Sequence, residues 1–129
     1  MQRNQRRQDR TELNIPILEF TGSEKIYGET INLSETGLCY YMPITEKSRY
    51  SYKRTPLPTL SLKSPVAGNP LYVFGEIVYE IKKDDFIITG LAFRQLDEET
   101  TAMIKQILAE HRTQTNSYRF VNPNITTTQ

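Results

Sequence analysis

Residues 71–93 read LYVFGEIVYEIKKDDFIITGLAF and contain the longest alternating pattern in the chain. Apolar or small residues stand at every second position from Val73 to Ile81. Because strand side chains alternate between two faces, this pattern predicts a β-strand with one buried face. Lys82 to Asp85 then supply polar turn residues before a second strand pattern from Phe86 to Phe93. The stretch therefore predicts a β-hairpin.

Shorter strand patterns precede this hairpin at residues 13–17, 25–34, 38–42 and 60–62. Pro16 cannot donate to a sheet ladder, which predicts an edge position or the beginning of a strand. Helical spacing occurs only near the end, behind a candidate N-cap at Asp97. The apolar residues that share this helical face are Met103, Ile104, Ile107 and Leu108. Strands followed by one helix favour a small antiparallel barrel or sandwich capped by a helix.

The strand pattern at residues 25–34 also predicts which side chains share a face. Strict alternation puts Tyr27 and Leu33 on one face, and Asn32 and Ser34 together on the other. Gly37 follows shortly afterwards, and we expect it to be the positive-φ residue of a turn.

Length and charge limit the kind of protein this can be. The 129 residues suffice for one ordinary core, and 16 Lys plus Arg nearly balance 15 Asp plus Glu. Such a balance argues against binding nucleic acid or membrane through overall charge. No apolar run approaches the roughly 18 residues that a spanning helix needs, so we expect no direct membrane insertion. A single cysteine, Cys39, favours a reducing cytoplasm over a disulfide-bonded secreted protein.

Groups suited to catalysis are sparse. His111 and Cys39 are each the only residue of their type, and no carboxylates are spaced like metal ligands or an acid and base pair. His111 at the end of the helix is expected to interact with the negative end of the helix dipole. We therefore expect no enzyme activity, no metal site and no cofactor.

Two short motifs carry a more specific signal. Arginines recur in the first ten residues, where Arg6 and Arg10 form an RxxxR pair just before the first strand. Asn32-Leu33-Ser34-Glu35-Thr36-Gly37 matches the pattern [D/N]xSxxG. With both motifs in this order, the chain resembles the PilZ domain family, whose members sense cyclic di-GMP. Weaker similarities at residues 73–79 and 90–93 extend the resemblance over residues 3–112.

The resemblance implies a fold and a division of the chain. The expected fold is mainly β, a small antiparallel six-stranded barrel of the split-barrel type with a C-terminal α-helix. Residues 1–12 would form a flexible basic arm, residues 13–112 the barrel with its helix, and residues 113–129 a flexible tail.

The resemblance also implies a ligand, cyclic di-GMP, and the residues that bind it. These are Arg6, Arg10, Asn32, Ser34 and Gly37, with Arg7 and Tyr79 as further candidates. A guanidinium suits this ligand because its planar fork can pair with phosphate or with the O6 and N7 edge of guanine. Arg3 and Arg7 offer a competing RxxxR register, but Arg10 lies closest to the first strand. Asn32 stands where many family members have Asp, and its amide is a weaker acceptor for guanine N–H groups.

Several alternatives remain open at the level of the sequence. The domain could be a PilZ-like protein-protein adaptor that binds no nucleotide, or a small RNA-binding barrel, although we expect no nucleic acid partner. For a receptor, the resemblance implies an unidentified effector protein in motility, exopolysaccharide or pilus machinery. It allows either one cyclic di-GMP or an intercalated pair. The stretch from Pro43 to Pro70 and the tail after Arg112 are where we expect partner specificity.

Overall fold

The computed structural model describes residues 10–21, 24–44, 54–63 and 68–111. These residues form seven strands and one helix. The strands are β1 (Thr11–Glu12), β2 (Pro16–Thr21), β3 (Glu24–Leu33), β4 (Gly37–Pro43), β5 (Thr59–Leu62), β6 (Leu71–Lys83) and β7 (Phe86–Phe93). The helix, α1, spans residues 98–111.

Six of the strands close into a barrel. The antiparallel order β3-β2-β5-β6-β7-β4 returns to its start because β4 also pairs with β3. The short β1 pairs with β3 outside this ring, so Thr11 and Glu12, the last residues assigned to the basic arm, are part of the sheet. A closed ring leaves no exposed edge along these six strands. The prediction of an antiparallel six-stranded barrel with a C-terminal helix is confirmed.

The core lies inside the barrel and beneath the helix. Its fully buried apolar side chains come from several strands and include Ile17, Leu33, Tyr40, Met42, Leu60, Leu62 and Val73. The apolar face of α1 joins the same cluster through Ile104, Ile107 and Leu108. The carboxylate of Asp97 accepts a hydrogen bond from the Thr100 N–H at 2.7 Å, which confirms the predicted N-cap.

The β6–β7 hairpin predicted from the alternating pattern is confirmed. Lys83 lies opposite Phe86, with Asp84 and Asp85 as the two turn residues. Asp84 has a φ of 55°, a left-handed conformation that Asp tolerates better than most residues. Pro16 begins β2, which also confirms one of its two predicted positions.

One facing prediction for β3 is wrong. The register of β3 against β4 shifts between Thr30 and Asn32, which marks a β-bulge. A bulge inserts one residue and reverses the alternation beyond it. Tyr27 is therefore 74% exposed although Leu33 is buried, so the two do not share a face.

Candidate ligand-binding site

A row of directly opposed residues crosses the outside of the barrel. Asn32 on β3 lies opposite Cys39 on β4, which in turn lies opposite Gly90 on β7. Gly90 is opposite Tyr79 on β6, and Glu12 on β1 extends the row beyond Asn32. Opposed residues project from the same face of a sheet, and the neighbours of Cys39 along β4 belong to the core. This row, Glu12-Asn32-Cys39-Gly90-Tyr79, therefore faces outward, and we refer to it as the platform.

Tyr79 covers the middle of the platform. A Cβ atom at Gly90 would lie 2.1 Å from the Tyr79 ring, so the ring can lie there only because position 90 has no side chain. The Tyr79 hydroxyl donates a hydrogen bond to Cys39 Sγ at 3.2 Å. Tyr79 remains 37% exposed, which leaves part of the aromatic ring accessible to a ligand.

Arg10 lies near the same hydroxyl. Burial and the contact with Cys39 raise the pKa of Tyr79, and the nearby Arg10 guanidinium acts in the opposite direction. Arg10 and Tyr79 are 69 positions apart in the sequence, and both were predicted as ligand-binding candidates. The structure brings them together. Arg10 is exposed, so its N–H groups are accessible to solvent. Arg6 and Arg7 lie outside the described residues.

Asn32 is half-buried on the platform. Its side-chain amide makes no hydrogen bond to any other residue that the structure describes, and an amide can both donate and accept. Three strand spacings separate Asn32 from Tyr79, or roughly 14 Å along the sheet. The Tyr79 ring spans part of this distance, because its hydroxyl contacts Cys39, directly opposite Asn32.

Ser34 forms a tight turn rather than extending the platform. Its hydroxyl oxygen accepts hydrogen bonds from the N–H groups of Thr36 and Gly37, each at 3.2 Å. Its own N–H donates to the Gly37 carbonyl at 2.9 Å. Ser34 is buried, so this network fixes the connection between β3 and β4 from within.

The predicted positive φ at Gly37 is wrong. Gly37 does not adopt the left-handed conformation, and glycine is required there for a different reason. A Cβ atom at this position would lie 2.3 Å from the carbonyl oxygen of Leu91 on β7. Gly37 therefore allows the beginning of β4 to approach the end of β7 closely.

A buried ionic network lies directly behind the platform, and no motif in the sequence predicted it. Glu19 is fully buried and accepts hydrogen bonds from the Tyr40 hydroxyl at 2.6 Å and from Arg54 at 2.8 Å. Arg54 also donates to Thr89 at 2.5 Å and to Glu80 at 2.5 Å. The guanidinium lies 5.9 Å from the centre of the Tyr40 ring. One arginine thus contacts β2, β4, β6 and β7.

The sequence did contain a signal for this network. Ile15, Ile17, Glu19 and Thr21 alternate, so the pattern that predicts β2 also places a carboxylate on its buried face. A buried carboxylate needs a charged or hydrogen-bonding partner. Arg54 was not predictable as that partner, because it comes from a polar segment with no strand or helix pattern.

Metal ligands and membrane-spanning helices were two further possibilities for the described residues. They contain no group of three or more His, Cys, Asp or Glu side chains that could hold a metal ion. Within the same part of the chain, no helix has the length and apolar character required to cross a bilayer.

Solved structures with the same fold share little sequence with this chain. The Bacillus subtilis inhibitor of motility MotI/DgrA has a TM-score of 0.62 at 12% identity, covering 81% of this chain and 49% of its own. The PilZ domain of CeSA from a cellulose-synthesizing bacterium has a TM-score of 0.55 at 13% identity, covering 80% and 97%. Borreliella burgdorferi PlzA in complex with c-di-GMP has a TM-score of 0.53 at 13% identity, covering 87% and 56%. The chain therefore spans about half the length of MotI and of PlzA.

Sequence comparison identifies the family directly. No curated protein matches the chain. The model of the PilZ domain matches residues 4–110, which include the candidate arginine arm, the barrel and nearly all of α1. This match covers most of the chain and agrees with the closed barrel and its C-terminal helix. The chain belongs to the PilZ domain family.

Proposed function

We propose that this domain is a cyclic di-GMP receptor that binds the second messenger on the platform and signals to a partner protein by changing conformation. The observation that carries the proposal is the placement of Arg10 beside Tyr79, on the same outer face as Asn32. The structure of PlzA in complex with c-di-GMP supports this choice of ligand for the family.

The platform suits the chemistry of a cyclic dinucleotide with two phosphates and two guanines. The Arg10 guanidinium can pair with a phosphate or with the O6 and N7 edge of a guanine. The exposed part of the Tyr79 ring can stack against a base. Asn32 supplies an amide for the second guanine edge, held by a strand rather than by a loop.

The other candidate residues have supporting roles in this proposal. Arg6 and Arg7 extend the basic arm that precedes Arg10 and supply further guanidinium groups. Ser34 and Gly37 shape the turn beside the platform, since the Ser34 hydroxyl bonds within that turn. Their substitution is therefore expected to weaken binding through the position of Asn32.

A single contact cannot account for useful affinity. Micromolar binding requires about 8 kcal/mol. Hydrogen bonds to charged groups contribute roughly 1.5–3 kcal/mol each. Several must therefore form together, which explains why two arginines and a platform are needed. The same requirement favours a rearrangement of the arm against the barrel on binding.

The domain itself is a receptor, not an enzyme, so its output depends on a partner. The names of its structural relatives include an inhibitor of motility and a protein of a cellulose-synthesizing bacterium. We therefore propose an effector protein in motility, exopolysaccharide or pilus machinery, acting in the cytoplasm.

Isothermal titration of the purified chain with cyclic di-GMP tests the proposal, with GTP and cyclic GMP as controls. We expect selective binding in the micromolar range or tighter, and its loss in the double variant Arg6→Ala, Arg10→Ala. The variant Lys82→Ala, Lys83→Ala removes the same charge from an exposed hairpin end and should bind normally. A folded wild-type protein that binds none of these nucleotides would favour the adaptor interpretation.

A further inference from the structure

Tyr79 immediately follows an irregularity in β6. Ile77 lies opposite Leu91 and Tyr79 lies opposite Gly90, so Val78 has no residue opposite it. Such a bulge bends a strand and changes the direction in which the next side chain projects. The orientation of Tyr79 on the platform therefore depends on the geometry of this bulge.

Residues 54–58 are bonded to β6 on both sides of the bulge. Before it, the carbonyl of Pro56 accepts a hydrogen bond from the Ile77 N–H at 3.0 Å, and that of Pro58 accepts from the Gly75 N–H at 3.2 Å. Beyond it, Arg54 Nη1 donates to Glu80 Oε2 at 2.5 Å. Any change in the bulge must therefore alter the bonds of this segment.

Arg54 also contacts the residues that lie next to the platform along three strands. Glu80 follows Tyr79 on β6, and Thr89 precedes Gly90 on β7. Tyr40, which follows Cys39 on β4, lies opposite Thr89 and accepts a hydrogen bond from Arg54 at 3.1 Å. The platform and the row bonded to Arg54 are thus adjacent along the same strands.

The first two residues of this segment, Arg54 and Thr55, also bind to β2. Arg54 pairs with Glu19, whose side chain is fully buried, and the Thr55 N–H donates to Thr21 Oγ1 at 2.8 Å. Breaking a buried ion pair is strongly unfavourable, so we expect the Arg54–Glu19 pair to persist. The Glu80 carboxylate is 39% exposed, which makes its contact with Arg54 the weaker one.

We propose that residues 54–58 act as a brace that couples the platform to β2, with Arg54 as a positioning residue for Tyr79. Occupation of the platform moves Tyr79 and the bulge, which changes the Arg54–Glu80 contact and the hydrogen bond of the Thr55 amide. This inference rests on the proposed function only for the identity of the ligand. Coupling is reciprocal, so weakening the Arg54–Glu80 contact must also change ligand affinity.

The hydrogen-exchange rate of the Thr55 amide, measured by NMR on the full chain, tests the brace. We expect saturating cyclic di-GMP to change this rate by about five-fold or more, a typical lower limit for coupled sites. Glu80→Gln keeps the size of the side chain and removes its charge, and should abolish the change in the Thr55 rate while altering the affinity by a similar factor. Glu76→Gln is the matched control, because Glu76 lies on the same strand in an exposed pair with Arg94. It should behave like the wild type.

Two further outcomes separate the brace from the receptor proposal. If cyclic di-GMP binds and the Thr55 rate stays constant, the brace is wrong and the receptor proposal stands. If no binding occurs, Gly90→Ala still tests the brace, since its Cβ atom displaces the Tyr79 ring without a ligand. We expect Thr55 exchange to be about five-fold faster in this variant. Tyr79→Ala replaces it if Gly90→Ala does not fold, and an unchanged Thr55 rate would overturn the brace.

Discussion

At the scale of single residues, Arg54 has more described partners than any site residue the sequence identified. Replacing it with Met breaks the ion pair between Arg54 and the buried Glu19 carboxylate. We expect the free energy of unfolding to fall by about 3–5 kcal/mol, as for other broken buried ion pairs. Urea denaturation followed by circular dichroism measures this change.

A second substitution tests whether the stability lost in Arg54→Met comes from the buried Glu19 charge. The double variant Glu19→Gln, Arg54→Met replaces the carboxylate with an amide that still accepts from Tyr40. It should recover much of the stability, because burying a neutral hydrogen-bonded amide costs less than burying a charge. Arg94→Met breaks an exposed pair and should cost less than about 1 kcal/mol. Equal losses in Arg54→Met and Arg94→Met would contradict this account of the network.

Tyr40 in the same network predicts a response to alkaline pH. Burial, and then the neighbouring Glu19 carboxylate, raise the pKa of Tyr40 well above its usual value. Because the pKa is higher in the folded than in the unfolded chain, protonated Tyr40 stabilises the folded state. This stabilisation is complete below about pH 10, the pKa in the unfolded chain, and is lost at higher pH. In an absorbance titration, Tyr40 should stay protonated until the barrel unfolds. This late step should be missing in Tyr40→Phe and present in Tyr27→Phe, since Tyr27 is exposed.

At the scale of elements, α1 contributes its stability through one buried face. Ile107 is 1% exposed and belongs to the core cluster, whereas Gln106 beside it is exposed. Ile107→Ala should lower the free energy of unfolding by about 2–5 kcal/mol through lost burial and the cavity left behind. Gln106→Ala should change it by less than about 0.5 kcal/mol. Similar effects of the two substitutions in urea denaturation would mean that α1 does not close the core.

The elements also show where sequence patterns were sufficient. The β6–β7 hairpin and the Asp97 cap depend on local alternation and local hydrogen bonds, and both were predictable. The strand predicted at residues 13–17 is shifted, since β2 runs from Pro16 to Thr21. The side of the sheet on which Tyr27 lies was not predictable, because the bulge at residues 30–32 depends on how β3 pairs with β4 in the closed barrel. The need for glycine at position 37 could not be predicted either, because the carbonyl oxygen that a Cβ atom would meet belongs to Leu91 on another strand.

At the scale of the whole molecule, closure of the barrel determines which candidate residues meet. The motifs predicted Arg10 and Asn32, and the alternating strand contained Tyr79. Only the register of β3, β4, β7 and β6 places Asn32 and Tyr79 in one row with Cys39 and Gly90. Arg54 could not be assigned from sequence, because its partners come from four strands that meet only in the folded barrel.

Ligand binding to such a barrel should stabilise the entire domain. At a free concentration 100 times its dissociation constant, cyclic di-GMP should add about 2.7 kcal/mol to the free energy of unfolding. A domain of this size should then unfold roughly 10 °C higher. Differential scanning calorimetry measures this shift, which should be absent in Arg10→Ala and with GTP.

Salt distinguishes this receptor from an RNA-binding barrel. Binding of a long single-stranded RNA releases many counterions, so its affinity falls steeply as salt rises. A ligand with two phosphates can release few, and its affinity should fall much less between 50 and 200 mM salt, the interval over which proteins with many phosphate contacts lose about 10³-fold or more. Titrations of cyclic di-GMP and of a 12-nucleotide RNA at both concentrations make the comparison, with the Lys82→Ala, Lys83→Ala variant as a charge control. Tight RNA binding with a steep salt dependence, together with no binding of cyclic di-GMP, would assign the basic arm to RNA. Only a polyanion would then be binding to Arg10 and the arginines that precede it.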